Sequence, residues 1–401
     1  MDTSLYFHIP FCRRRCGYCD FNTFEGMKTY IPEYVNALCR EVEIVLARSP
    51  ELVNAHTIYF GGGTPSLLSG EQFSRILETV KNGADIANSA EISLEVNPET
   101  ISMKAIQELR NIGFNRISIG MQSASAQDLR VLDRQHNNAS VIKAVEWSCQ
   151  AGFEHINLDL IFGIPQQSLE SWLHTVTLAS GLGVDHFSIY SLILEDGTRL
   201  KKWVERGLVE LPDDDLAGEM YDETMFLMEN AGFTQYEISN WSRGPGAACR
   251  HNLQYWRYLP YLGFGAGAHG FWGSVRVENA CLIPQYINSI VERRETEFPA
   301  GPACVQTTRL TTWEMIQENL MVSLRLTDEG VSVAELHDQY GVWVNELFDN
   351  QIEKLKRTGL LEFTDDGSRM RLTRKGRLFG NRVFAEFIAN RVPKGYEFLD
   401  G

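Results

Sequence analysis

No stretch of this chain is apolar for long enough to cross a bilayer; the strongest run, Ser188 to Leu194, is strand-sized. Positive charge is short as well. Against 52 acidic residues stand 37 lysines and arginines, a formal charge of −15, which excludes the basic footprint that nucleic acid or an anionic membrane requires. Eight cysteines in 401 residues are too few for a disulfide scaffold. The amino terminus lacks the basic-then-apolar pattern of a secretory leader, so a reducing cytoplasm is the expected location. Neither an internal repeat nor a low-complexity segment is present, and ordinary globular composition argues against disorder.

What is present is alternation. Strand patterns at Leu5–His8, Thr57–Phe60, Ile92–Val96, Arg116–Gly120, Ile156–Phe162 and Phe187–Leu192 interleave with helix patterns at Tyr34–Ala47, Glu71–Lys81, Met103–Ile112, Ser140–Gln150 and Leu169–Ala179. Such an order implies an α/β fold with a parallel sheet. Six units make an incomplete (β/α)6 barrel, although periodicity alone leaves an ordinary doubly wound sheet open. We expect the barrel over residues 1–235 and an extension over 236–305. Residues 306–401 should form a smaller α+β domain, where helices at Met315–Leu324, Val333–Tyr340 and Val344–Thr358 precede a hairpin turning at Asp365-Asp366-Gly367. Helices followed by a tight hairpin outline a winged-helix-like module. Glycines at Gly244 to Gly246 and Gly263 to Gly270 suggest a mobile surface loop around His251.

Three cysteines crowd into Cys12-Arg13-Arg14-Arg15-Cys16-Gly17-Tyr18-Cys19. The C-x3-C-x2-C spacing lets one loop hold three irons of a [4Fe–4S] cubane, which normally takes four thiolates. The fourth iron stays open, and the amino and carboxylate groups of S-adenosylmethionine (SAM) can chelate it. A structural zinc site is the competing account; it needs a fourth ligand, for which Asp20, His8 or Cys249 would serve. The loop follows the first strand, at the end where barrel active sites lie. Of the other cysteines, Cys39 and Cys149 fall on helix patterns and are expected to be buried, and Cys281 and Cys304 have no partner motif.

At these residues the chain resembles the radical SAM superfamily, and within it the HemN/HemW group of coproporphyrinogen III dehydrogenases and heme chaperones. The resemblance runs from Tyr6 to about Arg382. It implies that Tyr6 approaches the methionine end of SAM and that Tyr18 packs on the adenine. Gly61-Gly62-Gly63-Thr64-Pro65 matches the glycine motif that brings backbone close to the SAM amino group, placing Gly62, Gly63 and Thr64 at the cofactor. Glu95 matches the residue that binds the ribose hydroxyls. Gln122, Arg134 and Asp159 match residues that line SAM, some of them touching a second SAM. An aspartate inside an apolar strand needs a buried partner, and Arg134 is the expected one. Gln122-Ser123-Ala124 departs from the group in lacking the aromatic that often follows Gln-Ser.

Two departures bear on function. Phe21 stands where the dehydrogenase carries a further cysteine, and only five residues precede Tyr6, where the dehydrogenase has a long lead. Both weigh against coproporphyrinogen decarboxylation. His251-Asn252-Leu253-Gln254-Tyr255-Trp256 matches the H-N-x-x-Y-W segment of the heme-chaperone branch. It implies heme as cargo, His251 as axial ligand with Tyr255 and Trp256 stacked on the ring, and Cys249 or His269 as alternative ligands. The expected partners are heme, heme-acceptor apoproteins and an electron donor such as flavodoxin or ferredoxin, with no nucleic acid. The competing enzymes are the dehydrogenase itself and a radical methyltransferase or cyclopropanase.

Overall fold

Along each early strand, polar and apolar residues alternate, so one face of the resulting sheet is polar and the other greasy. The computed structural model describes residues 2–211, 214–292, 294–388 and 392–400. Strands β1 (Asp2–Ile9), β2 (Asn54–Gly62), β3 (Asp85–Val96), β4 (Arg116–Gln122), β5 (His155–Phe162) and β6 (His186–Ser191) run parallel and adjacent in that order. Leu5, Phe7, Ile58, Phe60, Leu94 and Ile117 face outward and are buried in the core beneath the helices. The opposite positions, such as Tyr6, Tyr59, Glu95, Asp159 and Ser188, line a single central cavity, which shows that the sheet is curled rather than flat.

The helices begin where the sequence supplies a capping oxygen. Ser69, Ser102, Asn137 and Ser168 each accept a backbone N–H from the third residue on, opening the helices Gly70–Gly83, Met103–Ile112, Asn138–Ala151 and Leu169–Ser180. At Ser69 and Asn137 the bond is returned by the side chain three residues on, Gln72 and Ser140, closing a capping box.

Beyond β6 the sheet continues at both edges. Strands β7 (Thr234–Glu237) and β8 (Asn240–Ser242) add antiparallel next to β6. At the other edge β9 (Tyr261–Phe264) pairs parallel with β1, and β10 (His269–Trp272), β11 (Val275–Asn279) and β12 (Cys304–Arg309) follow antiparallel. The order is β12-β11-β10-β9-β1-β2-β3-β4-β5-β6-β8-β7, twelve strands in an open mixed sheet. The glycine-rich segment is therefore not the mobile loop expected above. Its glycines serve close backbone approach instead: a Cβ on Gly263 would lie 1.9 Å from the His269 carbonyl oxygen.

The last part of the chain has its own core, built around Trp313, Ile316, Leu320, Phe348, Ile352 and Phe387. Helices Thr312–Ser323 and Val333–Tyr340 precede a hairpin of Leu361–Phe363 with Arg369–Leu372, which Val331–Ser332 extends to three strands. The single helix expected over Val344–Thr358 is broken into Val344–Leu347 and Asp349–Arg357. Phe348, at the break, leaves helical geometry to bury its ring against Trp313 and Phe387. No helix among the described residues is long and apolar enough to cross a membrane.

Candidate functional site

β1 ends at Ile9, and the chain then closes a tight loop. Phe11–Cys12 pairs with Phe24–Glu25, and Phe24 N–H donates to the Pro10 carbonyl at 2.7 Å. His8 locks this loop from below: one ring nitrogen meets the Tyr6 hydroxyl at 2.9 Å, the other the Asn22 carbonyl at 2.8 Å. With both nitrogens engaged His8 is not free to complete a zinc site. Nor do any three His, Cys, Asp or Glu side chains among the described residues converge on one metal-ion position, so the three thiols do not surround a single ion.

Each of those thiols has a polar neighbour within hydrogen-bonding reach. Thr64 Oγ1 donates to Cys12 Sγ at 3.8 Å, Arg134 Nη1 donates to Cys16 Sγ at 3.5 Å, and Thr23 Oγ1 lies 3.8 Å from Cys19 Sγ. Burial pushes the Cys12 thiol up to about 11 and raises that of Cys19; a thiolate there needs a positive ligand to hold it.

The glycine motif lies directly against the cysteine loop. Gly63 N–H donates to Ile9 O at 2.9 Å and Thr64 N–H to Phe11 O at 2.8 Å. A Cβ on Gly63 would stand 2.6 Å from the Phe11 carbonyl oxygen, so close packing of two protein segments already demands glycine at this position. Glu95 accepts from the Tyr59 hydroxyl at 2.9 Å and from Gly62 N–H at 3.1 Å. Burial, and then the neighbouring Asp159, raise its carboxyl to about 7.

Asp159 is raised to about 6 by burial. Its oxygens accept from the Ser118 hydroxyl at 3.0 Å and the Asn157 amide at 2.7 Å. Arg134 is not its hydrogen-bonding partner, contrary to the expectation above. That guanidinium instead spans Asn97, the Gly120 carbonyl and Cys16, because the strand interior already supplies Asp159 with uncharged donors. Arg134 Nε is buried and has no partner. Gln122 lies buried beside it at φ 65°, a backbone conformation that side chains other than glycine adopt rarely.

The floor of the cavity is the helix Arg250–Trp256. His251 is 1% exposed. Its Nδ1 meets the Thr57 hydroxyl at 2.8 Å and its Nε2 the Tyr255 hydroxyl at 2.9 Å, with Tyr59 stacked on its face at 4.9 Å. Burial drives the imidazole down to about 3, so the ring is neutral. Glu91 holds the start of this helix, accepting from Arg250 N–H, His251 N–H and the Cys249 thiol. A buried ion pair with Arg116 at 2.9 Å fixes Glu91 in turn. Cys249 is thus a neutral thiol, raised by burial to about 12, and not the thiolate ligand considered above. Trp256 carries Arg325 over its ring at 4.4 Å, and Tyr255, which lines the cavity, bonds its hydroxyl to His251 and meets Tyr261 edge-on. Cys39 is buried as expected, whereas Cys149 is exposed, on the solvent side of its helix.

One cavity of about 550 Å3 is lined by Tyr6, Cys12, Cys16, Tyr18, Cys19, Gly62, Gly63, Thr64, Glu95, Gln122, Arg134, Asp159 and His251 together. Tyr59, Asn97, Ser188 and Tyr190 also line it and escaped the sequence reading. Their signal was position: each strand places a polar residue at every second site, and Tyr59 directly faces Tyr6 across β1 and β2.

The radical SAM superfamily matches residues 6–179 and the HemN C-terminal domain matches residues 310–379. The heme chaperone HemW of Bacillus subtilis is 37% identical over 96% of this chain and 99% of its own. That of Mycobacterium tuberculosis is 37% identical over 95% and 93%. Among solved structures, coproporphyrinogen III oxidase (HemN) from Escherichia coli, a radical SAM enzyme, superposes with a TM-score of 0.81 at 22% identity, over 96% of this chain and 89% of that one.

Proposed function

The chain belongs to the HemW family of radical SAM proteins, and from that premise we propose that it is a heme chaperone holding a [4Fe–4S] cluster and SAM in the central cavity. The observation that carries the cofactor part is the meeting of Cys12, Cys16 and Cys19 with Glu95, Asp159 and Arg134 around one space. The donor set fits. Three sulfurs with polar neighbours suit a cluster, and two buried acids beside an unpartnered guanidinium N–H suit a ligand carrying an amino group, hydroxyls and a carboxylate. When bound, the cluster supplies an electron to the sulfonium of SAM.

The chain's own residues do the holding. Cys12, Cys16 and Cys19 would ligate three irons. Gly62, Gly63 and Thr64 would offer backbone and hydroxyl groups to the SAM amino group, Tyr6 would border the methionine end, and Tyr18 would cover the adenine. Glu95 would accept from the ribose hydroxyls. Gln122, Arg134 and Asp159 line the remaining volume. Residues 1–235 then form the cofactor barrel, 236–305 its floor and outer strands, and 306–401 a module clamped to that floor, in a cytoplasmic protein reduced by a flavodoxin or ferredoxin.

Phe21 in place of a further cysteine supports delivery of heme over decarboxylation. The test is anaerobic reconstitution followed by two parallel assays: transfer of bound heme to an apo-hemoprotein, and carbon dioxide release from coproporphyrinogen III with SAM and reductant. Transfer without carbon dioxide is expected; the reverse result overturns the reading.

A further inference from the structure

The rim of the cavity exposes apolar surface that the core does not use. Phe21 is 62% exposed, Ile193 65% and Tyr190 43%, and all three line the cavity. Beside Phe21 lies a cluster of arginines. Arg15 Nη2 donates to the Phe21 carbonyl at 3.4 Å, Arg199 donates to the Arg15 carbonyl, and Arg14 and Arg199 share the Asp133 carboxylate. Arg13, Arg14 and Arg15 are all exposed. Asp20 and Glu25 flank them, so the patch is only mildly cationic, yet it stands out in a chain of net charge −15. Exposed aromatic and aliphatic side chains at the mouth of a cavity mark a binding site, and guanidinium groups beside them mark one for carboxylates.

Resting on the chaperone reading, we propose that heme docks across this mouth, its ring on Phe21, Ile193 and Tyr190 and its propionates on Arg14 and Arg15. Two features favour the mouth over the floor. His251 has both ring nitrogens engaged and is covered by Tyr59, so iron cannot reach it without dismantling the floor. At the rim the apolar side chains are already exposed and Arg14 has, among the described residues, only a surface ion pair with Asp133 to share, and cargo held on an open surface is cargo that an acceptor can take.

The test is heme titration of the full-length, cluster-loaded protein, read by Soret absorbance with iron content measured alongside. Phe21→Asp with Ile193→Asp should weaken binding at least about tenfold, the loss expected when one large apolar side chain stays in water. Val291→Asp, at an equally exposed apolar position away from the cavity, should bind as wild type does. Arg14→Glu with Arg15→Glu should weaken heme but not the dimethyl ester of the same porphyrin, and His251→Ala should retain the rim-dependent band. Wild-type heme binding that the rim variants leave intact overturns the proposal and spares the chaperone reading. No heme binding by wild type overturns that reading itself. Arginine variants that slow cluster reduction by an acidic donor protein, with heme binding unchanged, would reassign the patch to that donor and overturn the proposal too.

Discussion

The two ends of the cavity are built by opposite means. At the floor the carboxylate and the imidazole are buried and satisfied: Glu91 faces Arg116 and three donors from the Cys249–His251 turn, and His251 uses both ring nitrogens. At the cysteine end the thiols are half-buried, and Glu95 and Asp159 repel each other across the space. A satisfied network rigidifies; two acids facing one another are incomplete without a ligand between them. Stability should therefore reside in the floor and ligand dependence in the cysteine end.

The sharpest way to break this contrast is to disarm one end at a time. Replacing Cys12, Cys16 and Cys19 together by serine should abolish the brown colour and the iron of anaerobically purified protein, about four per chain, while the thermal midpoint of the metal-free protein hardly moves. Iron retained by the triple variant, or stoichiometric zinc in the wild type, would undo the assignment. Arg116→Ala at the floor should do the converse. It strands Glu91 in the interior and should cost about 3–5 kcal/mol, seen by chemical denaturation, whereas an effect below about 1 kcal/mol would mean the floor is not the stable end. A smaller effect comes from pH. Glu95, about 7, and Asp159, about 6, bind protons more tightly folded than unfolded. The stability they lend is complete below the ordinary carboxylate range and is lost as pH rises to about 7. The cofactor-free protein should thus melt on the order of a few degrees lower at pH 8 than at pH 5. Glu95→Gln should flatten that slope, and an unchanged slope would show that the acids do not face each other as described.

Much of this was legible in the sequence because strand order and motif placement are local. All six early strands fall where the apolar runs stand, and the cysteine loop follows the first of them. The floor was not legible. Glu91 stands just before one strand pattern and Arg116 opens the next, and their pairing comes from the register of those neighbouring strands, which sets Arg116 opposite Ser93, two residues on from Glu91; spacing along the chain does not reveal it. Helix Arg250–Trp256 looked like a loop because glycines flank it, yet Gly265 and Gly267 answer to close contacts with His8, Tyr34 and Asn22, far away in sequence. The expected Arg134–Asp159 pair failed for a related reason: Ser118 and Asn157, on the neighbouring strand and two residues away, satisfy the acid first.

One contact across the floor sets an order of events during synthesis. Glu237 is completely buried, and its ion partner Arg325, at 3.1 Å, lies 88 residues downstream; Arg325 also covers Trp256. A nascent chain halted before Arg325 leaves the ribosome holding an acid with no counter-charge and an uncovered indole. The barrel's closing edge is then a late event, waiting on the carboxy-terminal module, and shortened products of this gene would be marked for proteolysis rather than released as working half-proteins.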